Sequence, residues 1–150
     1  MIQTLNKRQA SRLILINNEG RVLLFRHVRK SGETFWAPPG GGLEEGETFE
    51  HAALREAKEE LGVTEFTFTF LWEEMTDFAY VDGPVRQQER FFLAEGDLSN
   101  LLCGVQQAHQ QEGILEAKWW TLNEVKSSAE PVFPLGLVGH LKERLGSRKR

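Results

Sequence analysis

A run of prolines and glycines stands just before the strongest helix pattern in this 150-residue chain. The run covers Trp36–Gly42, and prolines and glycines at this density predict an irregular loop with an unusual backbone. Thr48 then caps a predicted helix that ends at Leu61, with Gly62 at the position where chains commonly leave a helix in the left-handed conformation. The sequence therefore predicts a loop with an exposed backbone only a few residues before the start of a helix.

The predicted helix carries Glu56, Glu59 and Glu60. On a helical wheel of about 100° per residue, the three carboxylates fall within an arc of about 100°. Like charges three and four positions apart repel by about 0.2–0.5 kcal/mol per pair. The cluster predicts either a site for a hard divalent cation such as Mg²⁺ or Mn²⁺, which takes oxygen ligands, or a solvated acidic face.

The glycines favour the cation site. Gly40, Gly41 and Gly42 let the backbone approach a ligand closely and can aim a carbonyl or an amide at an ion or a phosphate. A simple tight turn is the other interpretation of these residues. The segment is not a Walker phosphate loop, because the terminal Lys-Ser/Thr pair is absent.

The spacing between the loop and the helix carries a family resemblance. Gly41 is followed by Glu47 and then by Arg55-Glu56-Ala57-Lys58-Glu59-Glu60-Leu61-Gly62-Val63. This pattern, from Gly41 to Val63, resembles the Nudix box of MutT-like hydrolases over its full length, and the segments 36–41 and 116–125 also resemble the family. Two positions depart from it. Ala57 replaces a larger aliphatic residue, and Gly42 stands where some members have a lysine, which puts a lysine-assisted mechanism in doubt.

The resemblance implies a fold and an activity. The expected fold is α+β, a single-domain α/β/α sandwich with a mixed β-sheet over residues 1–150. The expected reaction is metal-dependent hydrolysis of the phosphoanhydride (pyrophosphate) bond of a nucleoside diphosphate linked to another moiety, with Mg²⁺ or Mn²⁺ as cofactor. A catalytically inactive module that binds a nucleotide metabolite is the alternative, although the filled acidic positions of the box favour an enzyme.

Positions in the box also imply roles for single residues. Glu59, Glu60 and the carbonyl of Gly40 are expected to bind the metal, and Glu56 is expected to be a ligand or the base that activates water. Family members differ in whether this base comes from the box or from a later loop. Glu112 is therefore a second candidate base, preferred over Glu116.

Other box residues are expected to support the site structurally. Arg55 is predicted to pair with Glu47 or Glu44 and so to hold the loop against the helix. Gly41 and Gly62 are expected to shape the two ends of the box.

Substrate contacts are predicted outside the box. Because side chains alternate along a strand, one of Glu89 and Arg90 faces a pocket if their segment is extended, although cross-strand ion pairs explain both residues equally well. Aromatic rings can stack on a nucleobase, and core packing is the alternative for each of them. The candidate rings are Trp36, Trp72, Phe78 and Tyr80.

Hydrophobic periodicity predicts the remaining elements. A β-hairpin joins Arg12–Ile16 to Arg21–His27 through a turn rich in Asn and Gly. The other predicted strands are Phe66–Trp72, Tyr80–Val81, Gln88–Ala94 and Ile114–Thr121. Helices are predicted at Leu122–Ser127 and Pro134–Leu145, the second with a core-facing stripe of Leu135, Val138, Leu141 and Leu145.

Composition limits the partners. Eighteen Lys and Arg against 22 Asp and Glu give a net charge of −4, which argues against a nucleic-acid polymer as partner, because such binding needs clustered positive charge. No stretch approaches the roughly 20 apolar residues that span a bilayer, so no membrane association is expected. Residues 146–150 are expected to form a disordered basic tail. The resemblance implies a small-molecule nucleotide substrate and leaves a homodimer open.

Cys103 is the single cysteine, so no intramolecular disulfide is expected. Together with an N-terminus that lacks a leader pattern, this predicts a cytoplasmic protein. Isopentenyl diphosphate isomerases share the fold and use an active-site cysteine, but the segment around Cys103 does not resemble that site.

Overall fold

A mixed β-sheet organises the part of the chain that the structure describes. The computed structural model describes residues 6–29, 31–62, 67–80, 83–98 and 114–146. Its strands are β1 (Asn6–Asn17), β2 (Val22–Val28), β3 (Thr34–Ala37), β4 (Gly40–Gly42), β5 (Thr69–Tyr80), β6 (Gly83–Gly96) and β7 (Ile114–Trp120). Its helices are α1 (Phe49–Leu61), α2 (Leu122–Lys126) and α3 (Leu137–Gly146).

The sheet is mixed, as predicted. Its main path runs β3-β2-β1-β6-β5, while β4 pairs with β1 and β7 pairs with β2. β1 and β6 are parallel, in a register that runs from Asn6 opposite Val85 to Asn17 opposite Gly96. The other strand pairs are antiparallel.

Alternation along β1 builds a core on each face of the sheet. Leu13 and Leu15 pack toward α1, in a core that includes Phe49, Ala53, Ala57 and Phe92. Ile14 and Ile16 pack on the opposite face, in a core that includes Trp36, Trp72, Phe91, Trp120, Val125 and Leu141. Because α2 and α3 supply Val125 and Leu141, the sheet lies between helices, and the predicted α+β sandwich is confirmed.

The opening hairpin is confirmed. Ile16 of β1 pairs with Val22 of β2. The side-chain oxygen of Asn17 accepts hydrogen bonds from the backbone N–H groups of Glu19 and Arg21, at 3.0 and 2.9 Å. Such local bonds to an asparagine side chain stabilise the turn.

The first helix begins and ends where predicted. The Thr48 hydroxyl accepts a hydrogen bond from the N–H of His51 at 3.1 Å. Gly62 has a φ of 71° and donates its N–H to the carbonyl of Lys58 at 3.0 Å. Both ends of α1 are therefore fixed, which sets the position of the glutamates along it.

The prediction of an irregular loop through Trp36–Gly42 is wrong. β3 continues to Ala37, and β4 forms a ladder with β1, in which Gly40 pairs with Arg12. Only the two prolines lie between these strands. The available edge of β1 satisfies the backbone of the glycines, and this tertiary pairing overrides their weak strand propensity.

Two strands are longer than predicted. β5 and β6 continue through polar sequence that the hydrophobic pattern does not mark, with Glu73 opposite Arg90 and Asp77 opposite Arg86. β5 lies at the edge of the sheet, where polar side chains face water without cost. Phe66 and Val81, at the ends of two predicted strands, lie outside the described residues.

The last helix begins later than predicted. α3 starts at Leu137, so Leu135 precedes it and is 84% exposed, which contradicts its place in the core-facing stripe. Leu137 and Leu141, one helical turn apart, form the buried contact instead. Val138 packs at the edge of this core. Residues 147–150 of the predicted tail lie outside the described part of the chain, whose helices include none long and apolar enough to cross a membrane.

Gly40 gives a stability test of the β4 contact. A Cβ at Gly40, whose φ is 141°, would lie 2.1 Å from the Ser11 carbonyl oxygen, so Gly40→Ala is expected to lower the free energy of unfolding by about 3 kcal/mol. Gly139 in α3 has nothing within 4 Å of an added Cβ, and Gly139→Ala is expected to raise it by about 0.5–1 kcal/mol. Urea unfolding of both variants measures the difference, and equal effects would contradict the packing of β4 on β1.

Candidate active site

Two carboxylates are buried side by side on α1. Glu56 is 6% exposed and Glu60 is 4% exposed, one helical turn apart. Burial raises the pKa of Glu56, although its hydrogen bond with Glu60 and the charge of Arg55 act in the opposite direction. Two like charges removed from water repel each other, so this pair requires a proton or a cation between its oxygens.

The glycine loop, by which we mean the segment Gly40–Gly42 that forms β4, lies directly on these carboxylates. The N–H of Gly40 donates a hydrogen bond to Glu60 at 3.1 Å. A Cβ at Gly41 would lie 2.5 Å from a carboxylate oxygen of Glu56. The absence of side chains at both positions therefore lets backbone and carboxylates meet.

Arg55 ties the loop to the helix. It forms two hydrogen bonds with Glu47, at 2.7 and 2.9 Å, and a third with the Gly42 carbonyl at 2.9 Å. It also reaches Glu56 at 3.0 Å and Glu59 at 3.2 Å. The predicted pairing of Arg55 with Glu47 is present, and the same guanidinium partly neutralises the acidic cluster.

The two-pronged contact with Arg55 lowers the pKa of Glu47 to about 2. Glu47 also accepts a hydrogen bond from the backbone N–H of Glu44 at 2.8 Å, which closes the turn of the loop. The carboxylate of Glu44 lies 3.5 Å from Arg55 and is largely exposed. Glu47 is therefore the main partner of Arg55, and Glu44 contributes mainly through its backbone.

Carboxylate oxygens are suitable ligands for a hard cation, but the oxygens of Glu56, Glu59 and Glu60 do not all point to one position. Glu59 is bound to Arg55 and half exposed, and no group of three His, Cys, Asp or Glu among the described residues is placed to hold a metal ion. The buried pair of Glu56 and Glu60 nevertheless offers oxygens in a place where positive charge is needed. Glu59 would have to turn away from Arg55 to join them.

A cavity of about 520 Å³ is lined by Pro38, two residues before Gly40. Arg12 lines this cavity, pairs in register with Gly40 and forms an ion pair with Glu89 at 2.8 Å. Arg29 lies 4.6 Å above the ring of Phe35 on another wall. The cavity is large enough for a nucleoside, and three arginines stand against two glutamates on its walls.

The two strand residues predicted to contact substrate, Glu89 and Arg90, lie on opposite faces of β6. Glu89 lines the cavity, whereas Arg90 lies on the other face of β6, bonded to Glu73 at 2.8 Å and 4.3 Å above the ring of Phe49. Both residues form ion pairs, as the alternative interpretation held. Trp36 is buried, with its indole N–H bonded to Glu130 at 3.2 Å, so the structure places it in the core and not on a surface that faces a substrate.

Part of the predicted site falls outside the described residues. This applies to Glu112 and to the side chains of Phe78 and Tyr80, and the single cysteine, Cys103, also lies outside the described residues. Glu116 is exposed on β7, opposite Arg26.

Sequence reasoning missed several cavity residues, namely Arg8, Arg12, Arg29 and Gln87. The sequence did contain a signal for two of them. Arg8 and Arg12 are an even number of residues from the core residue Ile14, so on one strand all three side chains lie on the same face of the sheet. This signal becomes readable once β1 is known to begin at Asn6.

Acid titration tests the ion pair of the loop. A lowered pKa means that ionised Glu47 stabilises the fold above about pH 4.5 and that this contribution is lost as pH falls toward about 2. As the pH is lowered from about 4.5 to about 2, the free energy of unfolding of Glu47→Gln should therefore fall by about 1 kcal/mol less than that of the parent chain. This figure allows for solvent screening. Urea unfolding at a series of pH values measures this, with exposed Glu45→Gln as the control. Parallel pH profiles for the parent chain and Glu47→Gln would contradict the assignment.

Comparison with known proteins agrees with this geometry. Residues 6–135 match the NUDIX domain family. The RNA pyrophosphohydrolase of Wolbachia pipientis subsp. Culex pipiens is 27% identical over 128 residues, which cover 79% of this chain and 77% of that protein. The RNA pyrophosphohydrolase of Novosphingobium aromaticivorans is 35% identical over 68 residues, 45% of this chain, and the match spans only 42% of that protein.

Solved structures share the fold at low identity. The MutT protein from Methanosarcina mazei Go1 has a TM-score of 0.70 and 16% identity, with 99% of this chain and 100% of that chain covered. The Ap4A hydrolase of C. elegans has a TM-score of 0.68 and 20% identity, with 93% and 98% covered. Since the family match extends over residues 6–135, which include the glycine loop, the buried carboxylates, α1 and α2, the chain belongs to the Nudix family.

Proposed function

We propose that the chain hydrolyses the pyrophosphate bond of a nucleoside diphosphate derivative, with Mg²⁺ or Mn²⁺ as cofactor. The observation that carries this proposal is the buried pair of Glu56 and Glu60 against the glycine loop. Arg12 pairs with Gly40 of this loop and also lines the cavity of about 520 Å³. A purely structural acidic pair at this place would be costly, because each charge loses its hydration and repels the other.

The groups that would hold the cation are Glu56, Glu59, Glu60 and the carbonyl of Gly40. When bound, a divalent cation offsets the charge of the phosphates and makes a bound water more acidic. Phosphoryl transfer needs positioning and neutralisation of charge more than covalent participation by the protein. A cluster of carboxylates next to a glycine loop therefore suffices, without a nucleophilic side chain.

The remaining steps fall to residues around the cluster. Arg12 contacts the glycine loop and contributes positive charge beside the phosphates, while the cavity behind it takes the nucleoside. Water adds to phosphorus, the bond from phosphorus to the bridging oxygen breaks, and the proton of the water passes to Glu56 or to Glu112. Both candidate bases remain open.

The inactive binding module is the alternative function. The Nudix domain of NrtR from Shewanella oneidensis, solved in complex with ADP-ribose, has a TM-score of 0.67 with this chain at 20% identity, with 96% of this chain and 90% of that chain covered. The complete acidic set and its contact with Gly40 favour the enzyme.

A panel of substrates decides between the two functions. It includes nucleoside triphosphates, dinucleoside polyphosphates and nucleotide sugars, each assayed with Mg²⁺ and Mn²⁺. The names of the RNA pyrophosphohydrolases add an RNA with a 5′-triphosphate, although the net charge of −4 argues against a polymer. Absence of hydrolysis across the whole panel would favour the module.

The predictions that the protein forms a homodimer and that it is cytoplasmic stay predictions.

Loss of a metal ligand should abolish turnover. Glu59→Gln and Glu60→Gln are each expected to lower kcat by about 100-fold or more, because neutral amides bind a hard cation poorly while the fold persists. Phosphate release from the panel measures this. Glu50→Gln, at an exposed position of the same helix, should keep full activity. Full activity in both test variants would refute the metal assignment.

The cation should also stabilise the fold. Addition of Mn²⁺ is expected to raise the melting temperature of the parent chain and of Glu50→Gln, because a ligand that binds only the folded state stabilises it. Glu60→Gln should melt at the same temperature with and without Mn²⁺. In the absence of metal it should melt above the parent, because its repulsion with Glu56 is relieved. An equal Mn²⁺-dependent shift in Glu60→Gln would contradict the site.

A further inference from the structure

Gln87 is a buried polar residue that the proposed reaction does not use. It is 4% exposed and lies on the wall of the cavity of about 520 Å³. Its side-chain oxygen is buried and has no hydrogen-bond partner among the described residues. A buried acceptor without a partner is destabilising, and a ligand in the cavity that donates a hydrogen bond to it would remove that cost.

The strand register directs Gln87 toward the cavity. It lies opposite Arg8 on β1 and Thr76 on β5, and both of these residues also line the cavity. Glu89, two positions along β6, shares this face. Gln88 points to the other face, where its amide bonds to Glu73 at 2.8 Å.

The walls around Gln87 are planar. The guanidinium of Arg29 stands 4.6 Å from the centre of the Phe35 ring and 5.9 Å from that of Phe133. Flat aromatic and guanidinium groups stack on flat heterocycles. The cavity of about 520 Å³ can therefore hold a planar ring with Gln87 at its edge.

A primary amide offers one acceptor and two donors, and a half-turn of its plane exchanges the oxygen and the nitrogen. Its best match is a ring edge with an amino donor next to a ring-nitrogen acceptor, the edge through which glutamine pairs with adenine. The corresponding edge of guanine presents two acceptors and leaves the amide oxygen without a donor.

We propose that Gln87 is the specificity-determining residue of the cavity and that it selects a substrate whose base carries an amino group beside a ring nitrogen, as adenine does. The amino group donates to the amide oxygen, and the ring nitrogen accepts from the amide nitrogen. This inference rests on the proposed function, because it takes the cavity to hold the nucleoside.

Binding of two matched nucleotides tests the inference without turnover. ADP and its 6-deamino analogue, purine riboside 5′-diphosphate, are titrated into the full chain by calorimetry without divalent metal. The parent should bind ADP about tenfold more tightly than the analogue, because the analogue leaves the amide oxygen unpaired. In Gln87→Met the two affinities should become equal, mainly through weaker binding of ADP.

The matched control is Gln88→Met, which alters the neighbouring amide on the opposite face and should keep the tenfold preference. A ribose hydroxyl is the other donor that a nucleotide could offer, and 2′-deoxy-ADP and 3′-deoxy-ADP should each keep the preference over their own 6-deamino analogues. Equal binding of ADP and its analogue by the parent, or a preference that survives in Gln87→Met, would overturn the inference. Because the readout is binding, this result is independent of whether the panel assay detects hydrolysis.

Discussion

The rest of the site depends on the contact between the glycine loop and the two buried carboxylates of α1. The N–H of Gly40 reaches Glu60, and Gly41 leaves room for Glu56. This contact requires β4 to pair with β1 and α1 to pack on the same strand, so that loop and helix share one support. A small change in either packing would separate backbone from carboxylate, which explains why the site is built on a strand and a capped helix and not on a free loop.

Arg55 governs the electrostatics around that contact. Its one positive charge lies within 3.5 Å of Glu44, Glu47, Glu56 and Glu59. Of these carboxylates, Glu47 interacts most strongly with Arg55, because it accepts two hydrogen bonds from the guanidinium. The remaining carboxylates are left with more negative charge than Arg55 neutralises. The fold thus holds the loop in place with one cation and leaves a deficit of positive charge where a second cation is proposed to bind.

Local signals predicted α1 and its caps correctly, because capping residues, helical periodicity and carboxylate spacing all lie within a short stretch of sequence. The same logic failed at Gly40–Gly42, where pairing with β1 makes a strand from residues of low strand propensity. It failed again at Leu135, because the turn after Pro134 delays the helix to Leu137. The place of Gln87 on the cavity wall could not be predicted, because it depends on which residues of β1 and β5 lie beside it. Cavities are assembled across strands, and a single sequence does not state the register.

Under the proposed function, the sheet separates the groups that act on the phosphates from the cavity that takes the base. The carboxylates belong to α1 and its face of the sheet, whereas the cavity is lined by side chains of β1, β5 and β6 on the face shared with Ile14 and Phe91. Gly40 is where the two meet, since its N–H binds Glu60 while an added Cβ would lie 3.1 Å from the Arg12 side chain. A substrate bound as proposed would have its phosphates at the glycine loop and its base against β6. Changes on α1 would then alter whether the bond is cut, and changes on β6 would alter which molecule is presented for cutting.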